Sequence, residues 1–340
     1  MEHNTTIKLT NDQAFVAFSK PGGTNYELHI CHHCLEELSD KNLGIYDFVA
    51  MPFVDNLGLN SFFKYKESFL NSDFSFHSSL AKDFNITSKE AYISDVSNLI
   101  NTIKHSNLDK AIYSRKIVID RPAVDIGSLF KEMCIKYPNT FTFLFNIPNV
   151  GCWLGASPEL LIRQNGKELE TVALAGTQKL VGNIEEITWG EKEVDEQAYI
   201  KTFIKKVFKE EGIEYTEFET LTKAAGNVCH IHTAFNSALP NSMSKLIKKL
   251  HPGPAISGSP KHLAIDTIKD MERHNRGFYT GYLGDISNGN VELYINLRSM
   301  EALKDKFLLY VGGGITADSV PEDEWTETEL KAMTMSSVIK

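Results

Sequence analysis

The 340-residue chain is 42% hydrophobic and 23% charged, and its 35 Lys and Arg against 44 Asp and Glu leave a formal net charge of −9. Those fractions exclude a disordered or fibrous protein, and the acidic balance argues against a generic nucleic-acid partner, which needs a basic face. Any anionic ligand must therefore meet cations placed locally. The opening residues MEHNTTIKLT lack the apolar core of a secretory signal, and no run reaches the roughly 18 apolar residues of a membrane span. The cysteines Cys31, Cys34, Cys134, Cys152 and Cys229 fit no disulfide framework, so a reduced, cytoplasmic setting without a membrane partner is expected.

Residues 1–90 are uneven. Apolar runs at Ala14–Phe18 and Phe48–Val54, with a Phe-, Ser- and Lys-rich stretch at Ser61–Ser79, predict short strands and loops. Ala91, Val96, Leu99, Ile100 and Ile103 recur at helical spacing and predict a helix over 88–105. Lys110–Asp120 reads as a strand stopped by Arg121-Pro122, followed by a helix at Gly127–Lys136 and strands at Thr140–Ile147, Leu160–Ile162 and Thr171–Ala175. A charged amphipathic helix is expected over 191–210, strands at Val291–Ser299 and Lys306–Val311, and a last helix over 322–338. No linker rich in Pro, Gly or Ser divides the chain, which predicts one mixed α/β (α+β) domain over 1–340.

Cys31-His32-His33-Cys34 has zinc-ligand residue types, but a structural zinc site needs four ligands, usually as two spaced pairs, and no second pair matches. Ordinary core and surface residues are expected there. His230 and His232 share a face if they lie on a strand, but two alternating histidines are a weak metal signal. Gly312-Gly313-Gly314 follows a strand and reads equally as an anion cradle of backbone N–H groups or as a plain turn. Without GxGxxG or GxxxxGK[ST], nucleotide binding is a poor reading. Glu193 and Glu196 lie three apart, as do Glu324 and Glu327, so each pair shares a helix face. Two such pairs facing one another would make an all-oxygen set suited to Mg²⁺, whereas either pair alone is a solvated helix face.

Taken in order, the motifs resemble those of the chorismate-utilising enzymes: isochorismate, salicylate, anthranilate and aminodeoxychorismate synthases. They run KAIYSR (Lys110–Arg115), GASPELL (Gly155–Leu161), LAGT (Leu174–Thr177), EVDE (Glu193–Glu196) and His230. LHPGPAISGSP (Leu250–Pro260), YTGYLG (Tyr279–Gly284), INLR (Ile295–Arg298), GGGI (Gly312–Ile315) and WTETELK (Trp325–Lys331) complete the series. The resemblance covers roughly two thirds of the chain, about residues 108–338, and residues 1–90 carry no motif that can be placed. It implies a single chorismate-binding domain with two large, mostly antiparallel sheets packed together, helices outside and a central cleft. Gly253 departs from the family, which usually has Thr or Ser between the two prolines.

The resemblance also implies roles. The family adds a nucleophile at C2 of chorismate and expels the C4 hydroxyl. Members that use water have Lys where Lys110 stands, and members that use ammonia typically have Gln. Water needs a base, so Lys110 would act as a neutral amine, and Glu159 would protonate the departing hydroxyl from a carboxyl with a raised pKa. Ala175 stands where aminodeoxychorismate synthases carry a nucleophilic Lys, and Lys110 disfavours anthranilate synthase, so no glutaminase subunit is expected. Salicylate synthases usually carry Thr where this chain has Ala255. Ala255 beside Ile256 therefore resembles isochorismate synthases that stop after isomerisation, with salicylate synthase the alternative and a non-catalytic anion-binding protein a more distant one.

By the same resemblance Glu196 and Glu327 would hold Mg²⁺, with Glu193 and Glu324 contributing directly or through water. Lys331, the Gly176-Thr177 turn and the N–H groups of Gly312, Gly313 and Gly314 would meet the ring carboxylate. Arg298 and Tyr279 would hold the enolpyruvyl carboxylate, His230 would line the ring, and Ala255 and Ile256 would shape the apolar wall. Family members are commonly monomers. Their product feeds menaquinone, siderophores and salicylate, and menaquinone is the first expectation.

Overall fold

Twenty phenylalanines and the runs of β-branched residues around them dictate a strand-rich core. The computed structural model describes residues 6–54, 58–180, 182–225 and 228–339, and the side chains of Thr177, Lys179, Lys192, Ala225, Val228 and Thr334 lie outside that description. The first third runs β1 (Ile7–Lys8), β2 (Ala14–Ser19), β3 (Glu27–Leu35), α1 (Asp40–Leu43), β4 (Phe48–Met51), β5 (Ser61–Leu70), β6 (Phe74–Ser75), α2 (Lys89–Lys104) and β7 (Lys110–Asp120). Next come α3 (Ile126–Lys136), β8 (Phe141–Ile147), β9 (Gly151–Ser157), β10 (Leu160–Asn165), β11 (Glu168–Lys179), α4 (Glu191–Glu210), β12 (Tyr215–Glu217), β13 (Leu221–Ala225) and β14 (Val228–Ala238). The chain closes with α5 (Met243–Leu250), β15 (Gly258–Ser259), α6 (Lys261–Met271), β16 (Tyr282–Asp285), β17 (Val291–Ile295), β18 (Ser299–Ala302), β19 (Lys306–Ile315) and α7 (Pro321–Ser336).

Alternation along the strands assigns the layers. In β2, Phe15 and Ala17 join a cluster with α3 and the end of α7, while Val16 and Phe18 face the opposite way. In β8, Leu144 takes the first side and Phe143 and Phe145 the second. That second side is an aromatic interior, closed from across by Phe48 of β4, Leu283 of β16 and Tyr294 of β17. The alternate residues Val49, Tyr282, Leu293 and Ile295 point outward, under α4 and α5. The order is therefore helix, sheet, sheet, helix, with α2 and α6 covering Ala111 and Tyr113 of β7 on the flank.

Every pairing in the large sheet is antiparallel, as expected, and only the small β1–β6 pair is parallel. The hydrogen bonding runs continuously through 17 strands rather than dividing into two separate sheets. No described helix is long and apolar enough to cross a membrane.

Two expectations need correction. Val291–Ser299 is not one strand: β17 ends at Ile295 and β18 begins at Ser299. β17 pairs with β10 and β16 in one layer, whereas β18 pairs with β9 and β19 in the other, so the chain must cross between them. Arg298 makes that crossing with a φ of 48°, a region a non-glycine residue seldom visits. Nor do Gly312, Gly313 and Gly314 turn. β19 continues through them in register with Ser114, Tyr113 and Ile112 of β7, and the missing side chains make room for neighbours.

Candidate active site

β7 starts at Lys110, the first residue of a strand held on one edge by β19 and at its beginning by β15. The Lys110 side chain crosses Gly314, where a Cβ would lie 2.6 Å from Lys110 Cε. Any side chain at 314 would displace the lysine. Its Nζ donates to Glu196 Oε1 at 2.7 Å. The expected free amine is thus an ion-paired one here.

The acidic pairs sit on α4 and α7, as their spacing predicts. α4 is docked by Ile200, Ile204, Val207 and Phe208, at the i, i+4, i+7, i+8 spacing of one apolar stripe. Gln197 donates to Thr233 at 2.7 Å, and Trp189, just before the helix, donates to Thr222 at 2.9 Å. Glu193 and Trp189 close over Gly176, whose φ of +64° and lack of a side chain let both approach. Burial pushes the Glu196 carboxyl up, but Lys110, Lys331 and the Gly176 N–H outweigh it and hold it below the ordinary carboxylate range.

α7 is docked differently. Arg115 of β7 lies 3.6 Å from the Trp325 ring centroid and donates to Thr328 at 2.9 Å. Glu324 is 6% exposed and accepts from Ser319 at 2.8 Å. A Cβ on Gly313 would meet Glu324 Oε2 at 2.8 Å and Glu327 Oε1 at 3.9 Å, so both carboxylates converge on that glycine. Lys331 bridges from Glu327 Oε1, 2.6 Å away, to the carbonyl of Gly312 at 2.9 Å.

Glu196 thus lies by the Gly176 N–H and Glu324 and Glu327 by Gly313, while the Glu193 carboxylate turns back to Gly190, where a Cβ would lie 2.6 Å from its Oε2. Carboxylate oxygens are the hard donors a divalent cation such as Mg²⁺ takes. In this arrangement Lys110 and Lys331 occupy Glu196 and Glu327, and no three His, Cys, Asp or Glu among the described residues stand as a ready metal set. The donor chemistry fits the ion once the lysine contacts open.

Glu159 follows β9. Its carbonyl accepts from Ile295 N–H at 2.9 Å and its N–H donates to Ser157 Oγ at 3.3 Å. A cavity of about 40 Å³ beside it is walled by Leu160, Ile200, Phe203, Ala255, Ile256 and Ile295. Burial, helped by the Glu196 charge and opposed by Arg298, pushes its carboxyl up to about 7. A raised carboxyl is what the sequence argument asks for at this position. Burial lowers the Arg298 pKa, while Glu159 opposes that shift.

His230 Nδ1 lies 2.9 Å from the Gly176 carbonyl. Burial pushes its pKa down, against that carbonyl and with the Arg298 charge. The shift favours the neutral ring. Tyr279 is buried, stacked on Tyr310 at 5.5 Å, which stacks in turn on Trp153 at 5.0 Å. Ala255 and Ile256 occupy a tight turn in which Ile256 and Ser257 N–H both donate to Gly253 O. The side chain of Thr177 lies outside the described residues.

Cys31-His32-His33-Cys34 lies within β3, paired to β5, where alternation sends Cys31 and His33 to one face and the other two residues to the opposite face. Burial pushes the Cys31 thiol up to about 12. An open cleft of about 610 Å³ behind the His251–Pro252 turn contains none of the expected substrate residues. Three residues around the site escaped the sequence reading: Glu272, Arg276 and Ser114. The only signal was Glu272 four residues ahead of Arg276, an ordinary helical charge spacing.

Residues 66–337 match the family model of chorismate binding enzymes. Isochorismate synthase EntC of Escherichia coli (strain K12) is 29% identical over 245 residues, 68% of this chain and 62% of that protein. Isochorismate synthase MenF of Bacillus subtilis (strain 168) is 29% identical over 265 residues, 74% of this chain and 56% of that protein. The matched part is thus about three fifths of the length of these relatives. The structure of MenF, the menaquinone-specific isochorismate synthase from Escherichia coli, aligns with TM-score 0.83 and 18% identity over 99% of this chain and 90% of that one. Anthranilate synthase component I from Streptococcus pneumoniae aligns with TM-score 0.70 and 15% identity over 99% and 95%. Both structural likenesses establish the fold.

Proposed function

The chain belongs to the chorismate-binding enzyme family, and on that premise we propose that it is an isochorismate synthase. The observation that carries the reading is Glu159, a carboxyl pushed up to about 7 beside Glu196, which in turn holds Lys110. A protonated carboxyl near neutral pH is an acid for a leaving hydroxyl, and Lys110, once released from Glu196 and deprotonated, would be a base for water. Lys110, in place of the glutamine typical of ammonia users, favours water.

In this reading Lys110 removes a proton from the water that attacks C2, and Glu159 delivers one to the departing C4 hydroxyl. Arg298 holds the enolpyruvyl carboxylate through its planar fork, with Tyr279 donating beside it. Lys331 faces the ring carboxylate, and Ala255 and Ile256 give the ring an apolar wall. Mg²⁺ held by Glu196 and Glu327, with Glu193 and Glu324 beside them, would neutralise charge on the ring carboxylate. Neutral His230 lines the ring without transferring a proton.

The test is product analysis in ¹⁸O-labelled water. The expected product is isochorismate with label at C2 and the original C4 oxygen lost. Unlabelled product would exclude attack by solvent water. Aminated product from ammonium salts at a comparable rate would overturn the argument from Lys110, and stoichiometric salicylate with pyruvate would move the reading to salicylate synthase. We place the product in menaquinone supply first and siderophore supply second; menaquinone loss on gene deletion tests that order.

A further inference from the structure

Arg276 is 4% exposed and lies in the turn between α6 and β16. All five of its N–H donors are used. Nε and Nη2 grip Glu272 Oε2 and Oε1 at 2.9 and 2.6 Å. Nη2 also donates to the Ile112 carbonyl at 2.7 Å, and Nη1 donates to the Ile256 carbonyl at 3.0 Å and to Thr280 Oγ1 at 3.1 Å. The Phe53 ring lies 4.3 Å from the guanidinium carbon. Glu272 is fixed in turn by the N–H and hydroxyl of Ser114, at 2.8 and 2.7 Å.

The three acceptors outside the ion pair belong to three different walls. Ile112 is two residues beyond Lys110 on β7. Ile256 is the apolar wall itself. Thr280 follows Tyr279 and keeps a φ of 57°, which the Arg276 contact helps to hold. One planar group therefore fixes the distances among base, wall and tyrosine. We propose that Arg276, locked by Glu272, is a positioning residue that sets the mutual register of Lys110, the Ala255–Ile256 wall and Tyr279. This rests on the chorismate reading of the site. Reacting groups must be held near attack geometry, and a displacement of about 1 Å costs on the order of 10²-fold. The same register keeps the wall where the reaction stops at isochorismate instead of continuing to pyruvate loss.

The experiment compares wild type, Arg276→Lys and Ser114→Ala for kcat, KM and the pyruvate released per isochorismate formed. A lysine keeps the charge but cannot serve five acceptors in one plane. The product ratio does not depend on how much of the protein is folded, so a purely structural role leaves it unmoved. Arg276→Lys is expected to lower kcat by about 10²-fold, to raise the pyruvate ratio several-fold and to change KM less than kcat. If that variant fails to fold, Ser114→Ala decides, because it removes a single hydroxyl and should move the ratio in the same direction by a smaller factor. An unchanged ratio and KM, with activity loss tracking the unfolded fraction, would overturn the proposal. Wild type that makes no isochorismate would overturn the chorismate reading and this inference with it, whereas active wild type with unmoved variants overturns this inference alone.

Discussion

α4 and α7 carry the same Glu-x-x-Glu spacing, yet each holds its second glutamate in a different way. Glu196 is held by Lys110, a residue 86 positions away on another element and the candidate base. Glu327 is held by Lys331 on its own helix, in a pair whose side chains are 49% and 45% exposed. A surface pair at helical spacing contributes little, about 0.3–0.5 kcal/mol. The α4 pair instead ties the helix to the first residue of β7. The same spacing therefore ends in one tie within a helix, where Lys331 stands four residues beyond Glu327, and one across the fold, where Ile200 stands four residues beyond Glu196 and the distant Lys110 supplies the cation.

The strongest attempt to break this comparison removes the carboxylates. Glu196→Gln and Glu327→Gln should each abolish most Mg²⁺-dependent turnover, and near-normal turnover in EDTA would refute the assignment of both pairs. The lysines should then separate the two helices. Lys110→Ala, like Glu159→Gln, should lower kcat by about 10²-fold or more, the scale for a lost base or acid. Lys331→Ala should chiefly raise KM, with less than about a tenfold loss in kcat, about 1.4 kcal/mol. Equal kcat losses from the two lysines would erase the distinction.

A pH measurement sharpens the picture around Glu159. Its folded-state carboxyl titrates near 7, above the ordinary value of 4.5, so the folded protein binds the extra proton between those limits. Stability should fall as pH rises through that window, by at most about 3 kcal/mol and by less where water reaches the group. Glu159→Gln should flatten this fall in urea titrations, and an unchanged slope would place the buried proton elsewhere. The smallest expected effects concern the docking of the helices. Arg115→Ala removes the stack on Trp325 and should cost about 1–3 kcal/mol, whereas Gln197→Ala on α4 should cost about 1 kcal/mol. Reversed magnitudes in thermal unfolding would mean that α4 relies on its polar anchor more than on its apolar stripe.

Much of this was legible in the chain. Lys110–Asp120 reads as a strand and meets Arg121-Pro122 where β7 ends, and the helices expected over 191–210 and 322–338, which carry the two acidic pairs, both form. Local pattern failed where distant segments decide. The break at Arg298 comes from a change of layer, which no window around INLR contains. The glycine run reads equally as an anion cradle or a turn, and neither reading foresees a strand that pairs with β7 and carries Lys110 across Gly314. The Lys110–Glu196 contact and the bonds of Arg276 to the Ile112 and Ile256 carbonyls join residues that only the fold brings together. For the site residues themselves, motif order located more than periodicity did, because the chemistry depends on side-chain identity at strand ends and turns.

The aromatic stack beneath Tyr279 has a practical consequence. The chain has three tryptophans. Trp153 ends the stack that starts at Tyr279, Trp189 leans on Gly176, and Trp325 lies under Arg115 on α7. Each indole therefore reports on a different part of the fold. The protein carries its own optical reporters, and single Trp→Phe variants would resolve by fluorescence which part responds first as a ligand arrives.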